Sequence, residues 1–322
     1  MAITASQILY ERARAQDSEA GTLSGDYIRD AIAGDLFKKI PSSVFLNGGQ
    51  ILKKAFIRFD SASLVSEAHL FPSAYTSVPT GVIATLQGGA DGQNSVASAT
   101  GPMVVGTVNA DVTNGAAFVD VALARSEPMS FFSGWNDGDT LAALVAGSPV
   151  YLQTDSATPP SNQGSGIWRF TLAAAWSGVT VPAGTLISQR LTATNLQPSV
   201  VEQPGYASIT LDETQVVVDP SGAVHDTLTL TFSSATEYSV TSAEFGLLAS
   251  GDTAIDVQVV NPDTGKPMVT IPAAAWSGNA ANNDSVLLDI TPSALAFFVC
   301  LDVAAGTSEQ SVRFDLTHDV LG

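Results

Sequence analysis

Residues Asn261–Gly278 read NPDTGKPMVTIPAAAWSG, and this stretch sets the reading of the whole chain. Its opening, with Asn261, Pro262, Asp263 and Gly265, collects the residues that bend a backbone at little cost. Met268–Ile271 then has the apolar, β-branched character of a strand, and Pro272 stops it. The stretch closes on Ala-Ala-Ala-Trp-Ser-Gly, residues 273–278, and the same six residues occur at 173–178. A repeated hexamer containing Trp, 100 residues apart, predicts two copies of one β module.

Working outward, the segments around the hexamers alternate in the period of strands. Thr227–Phe232 places Leu228, Leu230 and Phe232 on one face and three threonines on the other. Tyr238–Val240 is expected to pair back on it across a short Ser/Ala turn. Further strands are expected at Ile255–Val260, Met268–Ile271, Ser285–Ile290, Phe297–Leu301 and Ser311–Leu316. The earlier half offers Met103–Val108, Ala117–Leu123, Leu141–Val145, Val150–Gln153, Trp168–Leu172 and Thr185–Leu191. Asp-Gly, Asn-Gly and Pro-rich turns separate them. No helical stretches lie between them, so the expected fold class is mainly β, with two sandwich- or barrel-like modules. The expected organisation is an N-terminal docking segment with a first strand (1–60), a module over 61–198 with a mobile loop at 87–101, a linker over 196–205, and a second module over 206–322.

The N-terminal segment reads differently. Residues 3–16 look weakly helical. A stronger helix is expected from Asp26 to Ile40, capped by Ser24 and stopped by Pro41. Ile28, Ile32, Leu36 and Ile40 recur every four residues with Phe37 beside them, giving one apolar stripe. That stripe is the candidate interface: it packs either on the chain's own β body or on a neighbouring subunit. A first strand follows at 51–59, with Ile57 and Phe59 on one face and Lys54 and Arg58 on the other.

Of 322 residues, 45% are hydrophobic and 14% charged, enough apolar content for folded domains. The net charge is −18. It is unevenly placed, with 8 Lys and Arg against 7 Asp and Glu through Asp60, and 5 against 24 beyond it. An acidic body repels phosphate backbones, so sequence-specific nucleic-acid binding is not expected. The single cysteine, Cys300, lies in an apolar run and reads as a buried small hydrophobe. The N-terminus has neither the basic region nor the long apolar core of a signal peptide, and no stretch is long enough to span a bilayer.

Motifs of known chemistry are scarce. His69, His225 and His318 lie at no metal-ligand spacing with Cys or each other. Gly88-Gly-Ala-Asp-Gly92 lacks the lysine of a phosphate loop. Trp135-Asn-Asp-Gly-Asp139 faintly echoes a calcium loop but lacks the distal glutamate, so a tight turn is the expectation. Trp176 and Trp276 are expected to close the two cores. Neither a metal nor a cofactor is expected.

The stretch Asn261–Ala273, with Trp276–Gly278, resembles a segment of virion structural proteins of tailed bacteriophages. In these an N-P-x-x-G-K-P run is followed by a Thr-containing strand, a Pro and an aromatic-x-Gly. The hairpin Thr227–Val240 and the Asp289–Val299 strand pair around Pro292 extend the likeness over about residues 206–305. Met268 stands where an aromatic is more usual. The resemblance implies a particle component of the head, neck or tail, located in the virion. The acidic body, which suits a conduit for DNA, turns the expectation to the tail or neck, as a non-enzymatic subunit partnered by copies of itself and by other virion proteins. The resemblance carries over no catalytic residues. Capsid decoration, a carbohydrate-binding adhesin using Trp135 and Trp168, and a hydrolase with dispersed acids are the alternatives.

Overall fold

The computed structural model describes residues 5–14, 23–28, 41–75, 82–88, 103–124, 135–203, 208–307 and 314–321. The protein is mainly β, built from antiparallel sheets, with little helix. Three larger apolar cores and two smaller clusters organise the described residues.

The first core lies under a seven-stranded sheet. The spatial order is Ser161–Gly164, Ile167–Thr171, Phe118–Leu123, Val105–Val108, Leu186–Gln189, Thr140–Val145 and Ser148–Gln153. Val104, Val121, Leu141, Phe170 and Ile187 fill it. The second core lies between two sheets, as in a sandwich. One sheet runs Ser199–Gln203, Ser285–Thr291, Asp226–Phe232, Glu237–Ser242 and Gly246–Asp252. The other runs Val217–Val218, Pro267–Ile271 and Val257–Val260. Asp226–Phe232 and Ser285–Thr291 alternate buried and half-buried residue by residue, because one pleat face meets the core and the other faces outward.

The third core is a base assembled from both ends of the chain. Its larger sheet orders Leu23–Tyr27, Ile8–Ala13, Gly49–Phe59, Ala294–Val303 and Val82–Gly88. Its smaller sheet orders Leu191–Leu196, Val65–Tyr75 and Phe314–Leu321. Ala294–Val303 pairs along its full length with Gly49–Phe59. It is apolar from Ala294 to Leu301 because both of its faces are covered: Phe297 and Val299 meet the base core, and Ala294 and Ala296 meet a second cluster with Phe56 and Met268. Cys300 is buried in this strand, as a small hydrophobe would be.

The strand readings of the two modules stand, with ends moved by a few residues. Four expectations need correction. Residues 8–13 form a strand, not a helix, paired antiparallel with Gly49–Phe59. Leu23–Tyr27 is a strand, so no helix starts at Asp26, and the Ser24 hydroxyl donates to the Arg12 carbonyl across the hairpin instead of capping a helix. Ser199–Gln203, read as linker, pairs with Ser285–Thr291, and Val200 packs on the second core. Val65–Tyr75, where no strand is expected from the sequence, is the central strand of the smaller base sheet. A six-residue helix, Ser42–Asn47, seats Phe45 against Val303. In each case long-range pairing overrides local propensity. Within the expected mobile loop, Gln87 and Gly88 belong to Val82–Gly88; the rest lies outside the described residues.

The smaller base sheet carries a histidine on each face. His318 faces Tyr10, with Nδ1 and the hydroxyl 3.0 Å apart. His69 lies 3.2 Å from the Thr192 hydroxyl and edge-on to Tyr151. Burial holds both imidazoles below their ordinary pKa. The unfolded chain therefore takes up protons first on acidification. This stability is complete above about pH 6.5 and falls as pH drops below it. His318→Asn is expected to lose less melting temperature between pH 7.5 and 5.5 than the native chain; equal losses would show that His318 is not responsible.

Candidate functional site

The Asn261–Gly265 turn is where the second module meets the base. Asn261 is buried at 1% exposure. Its carboxamide donates to the Gly222 carbonyl at 3.0 Å and accepts from the Asp263 N–H at 2.9 Å, and its backbone carbonyl accepts from Gly265 N–H. Gly265 takes a positive φ of 69° to close the turn. The turn so fixed projects three side chains at the N-terminal hairpin. Asp263 pairs with Arg14 at 3.0 Å. Thr264 packs on Gly25, where a Cβ would lie 2.1 Å from its methyl group. The Lys266 ammonium lies 3.2 Å from the Tyr27 hydroxyl.

Beneath this contact sits a buried ion pair. Glu11 and Arg58 occupy adjacent strands on the face of the larger base sheet that points at the second module, beside Phe56, Ala13, Ala294 and Ala296. Arg58 Nε meets Glu11 Oε1 at 2.8 Å, with both side chains at 1% exposure or less. The remaining guanidinium nitrogens donate across the boundary to the carbonyls of Pro220 (2.9 Å) and Ala223 (3.0 Å). Gly25 N–H donates to the other Glu11 oxygen at 3.1 Å. Burial pushes the Glu11 carboxyl up, and the Arg58 charge and the Gly25 N–H pull it back. The planar fork of arginine suits this position, since one group joins a carboxylate on the base to two carbonyls of the module. Arg14 adds an outer contact to Glu244 at 2.8 Å and stacks on Phe245.

The other singled-out residues have structural partners. Trp276 packs on the second core, 5.5 Å from Phe232 and 5.4 Å from Tyr238. Its backbone pairs with Leu211. Trp176 packs on the first core and donates to the Val179 carbonyl at 2.9 Å. Its backbone bonds Ala116 and Gly115. The two hexamers thus share one job, a short bridge that lays an indole over a core. Trp135 and Trp168 are half-buried core-edge residues rather than exposed rings, with Trp135 edge-on to Phe170 at 5.0 Å. The Trp135–Asp139 loop is a tight turn: the Asp139 carboxylate accepts from Asn136 N–H at 2.8 Å and from Gln189 at 2.6 Å. Among the described residues no group of three or more His, Cys, Asp or Glu side chains is placed to hold a metal ion.

Of the candidate interface residues, Ile28 packs against the chain's own base core. Ile32, Leu36, Phe37 and Ile40 lie outside the described residues. Sequence reasoning identifies the Asn261 turn but misses Glu11 and Arg58. The one available signal is a charged residue, Arg58, within the otherwise apolar end of its strand, Ala55–Phe59.

No protein-family model and no curated protein matches the chain. Two crystal forms of FlgL from Xanthomonas campestris are similar over 29% and 30% of this chain and 28% and 30% of that chain, at 14% and 15% identity and a TM-score of 0.22. The chain spans less than a third of the FlgL length, and that overlap identifies neither a shared fold nor a shared role.

Proposed function

We propose that the chain is a non-enzymatic structural subunit of a bacteriophage virion, in the tail or neck, assembling with copies of itself and other virion proteins. The observation that supports this is the use made of the segment carrying the resemblance. The side chains of Asn261, Asp263 and Thr264, with that of Lys266 just after the turn, fix the turn or dock it to the base. A segment shared among particle proteins for mechanical reasons would be used in that way. The acidic body suits a wall past which a phosphate backbone slides without sticking.

The test is mass spectrometry of gradient-purified particles from cells that encode the chain, with gold-labelled antibody in electron micrographs. Stoichiometric recovery with gold at the tail or neck is expected. Particles lacking the chain would overturn the proposal.

A further inference from the structure

The five-stranded sheet of the second module turns one face to its core and the other outward. The outward face is a platform of hydroxyls. Thr227, Thr229 and Thr231 line the central strand. Thr241 lies opposite Thr229, and Ser239 and Ser285 flank Thr231 on either side. Residues i and i+2 share a face and neighbouring strands lie about 4.8 Å apart, so the hydroxyls form a flat grid. Leu247, 70% exposed, and Val201, 49% exposed, stand on the two outer strands of this face.

The placement of charge is the second observation. The chain carries −18, yet the two middle cross-strand rows hold none. One row is Gln203, Leu287, Thr229, Thr241 and Leu247, and the other is Ser285, Thr231, Ser239 and Ser250. Acids appear only at the ends. Asp289 is held by the Thr227 hydroxyl at 2.7 Å, and Glu237 lies opposite Asp252.

We infer that this hydroxyl face is a self-association surface, which a second copy of the chain covers face to face about a two-fold axis along the strand Asp226–Phe232. Two identical acidic bodies repel wherever acids meet, and an uncharged face removes that cost. The symmetry fits the residues. Rotation about an axis parallel to the central strand lays one copy's Ser199–Gln203 over the other's Gly246–Asp252. Leu247 of each copy then sits over Gln203 of its mate, two residues along the same edge strand from Val201, and Thr229 lies on the axis. Asp289 and Glu237 are each one strand off the axis, so equivalent carboxylates are displaced sideways by about 10 Å, close to the screening length. Five strands about 4.8 Å apart, with about five residues of 3.4 Å each, cover on the order of 400–500 Å² per copy. The two copies together bury about 800–1,000 Å², below the standard size and in the range of weak, transient interfaces. The pair is weak alone and adds up in a particle that repeats it.

This inference rests on the subunit reading above but is tested separately, by sedimentation velocity of the full chain from about 1 to 500 µM. Reversible dimerisation that strengthens with added salt is expected, because screening reduces the repulsion of the two bodies. Thr229→Glu sets two carboxylates on the axis and is expected to weaken association at least tenfold. Thr194→Glu, at an exposed position of Leu191–Leu196, adds the same charge elsewhere and is expected to leave it unchanged. Facing sheets stand about 10 Å apart. Thr229→Cys is therefore expected to give a dimer with a short bis-maleimide, and Thr194→Cys is not. Monomer at every concentration, equal behaviour of the two Glu variants, or no cross-link at Thr229 would overturn the surface. If the chain is present in purified particles while Thr229→Glu incorporates normally and Thr229→Cys fails to cross-link, the surface fails and the virion reading stands. If the chain dimerises through Thr229 but is absent from particles, the surface stands and the virion reading fails.

Discussion

Replacing Arg58 with Ala is expected to destabilise the protein by about 3–5 kcal/mol, the scale set by removing one partner of a fully buried ion pair. The reason is what remains behind. Glu11 keeps its carboxylate at zero exposure with the Gly25 N–H and the more distant Lys266 charge to answer it, and the carbonyls of Pro220 and Ala223 lose their donors. The loss concentrates at the boundary between base and second module, so hydrogen exchange is the sharper readout than one global melting curve in a chain with several cores. Amides of Ile8–Ala13 and of residues 219–223 are expected to lose protection first. Replacing both partners, as Glu11→Leu with Arg58→Met, is expected to cost less than Arg58→Ala, because no buried charge is stranded. Arg14→Ala, whose pairs with Glu244 and Asp263 are about one-third exposed, is expected to cost about 1 kcal/mol or less. Equal effects of Arg58→Ala and Arg14→Ala would show that the buried pair does not hold the joint.

That contrast explains what the amino-acid sequence reveals and what it hides. Strands such as Asp226–Phe232 are legible because one face is buried by near neighbours, and the pleat writes its period into the residues. The turn at Asn261 is legible for the same local reason. Ile8–Ala13 is not. Glu11 and Arg12 are ordinary helix residues, and only pairing with Gly49–Phe59 and the Arg58 charge make Glu11 a strand residue with a buried acid. The base is harder still. Its larger sheet joins Gly49–Phe59 to Ala294–Val303, and its smaller sheet joins Val65–Tyr75 to Phe314–Leu321, so each partner lies more than two hundred residues away in the chain. Pro72 and His69 also disguise Val65–Tyr75, since both are poor strand indicators. A bulge at Ser73, beside Pro72 in the same strand, takes up the irregularity where Asp315 pairs with Ala74 and Leu316 with Pro72. The joint is therefore half readable, with its turn evident and the socket that receives it invisible.

The socket also sets the second large effect. Gly222→Ala is expected to cost about 3 kcal/mol, the upper end for overpacking. A Cβ at Gly222 would fall 2.0 Å from the Pro267 carbonyl oxygen and 2.8 Å from that of Lys266. Both are backbone atoms of the segment that carries the Asn261 turn into its strand, so no side chain can swing aside. Relief requires the strand Pro267–Ile271 to retreat, and that pulls the Asn261 carboxamide from the Gly222 carbonyl. Asn261→Ala removes the same hydrogen bond without the collision and leaves one buried carbonyl unanswered, for about 1–3 kcal/mol. Gly265→Ala meets no atom within 4 Å and bears only the strain of a positive φ, about 1 kcal/mol. The order Gly222→Ala, then Asn261→Ala, then Gly265→Ala in urea unfolding is the signature of backbone-to-backbone contact. If Gly222→Ala proved as mild as Gly265→Ala, the second module would be loosely seated, and the Arg58 fork could not hold its two carbonyls at the observed distances.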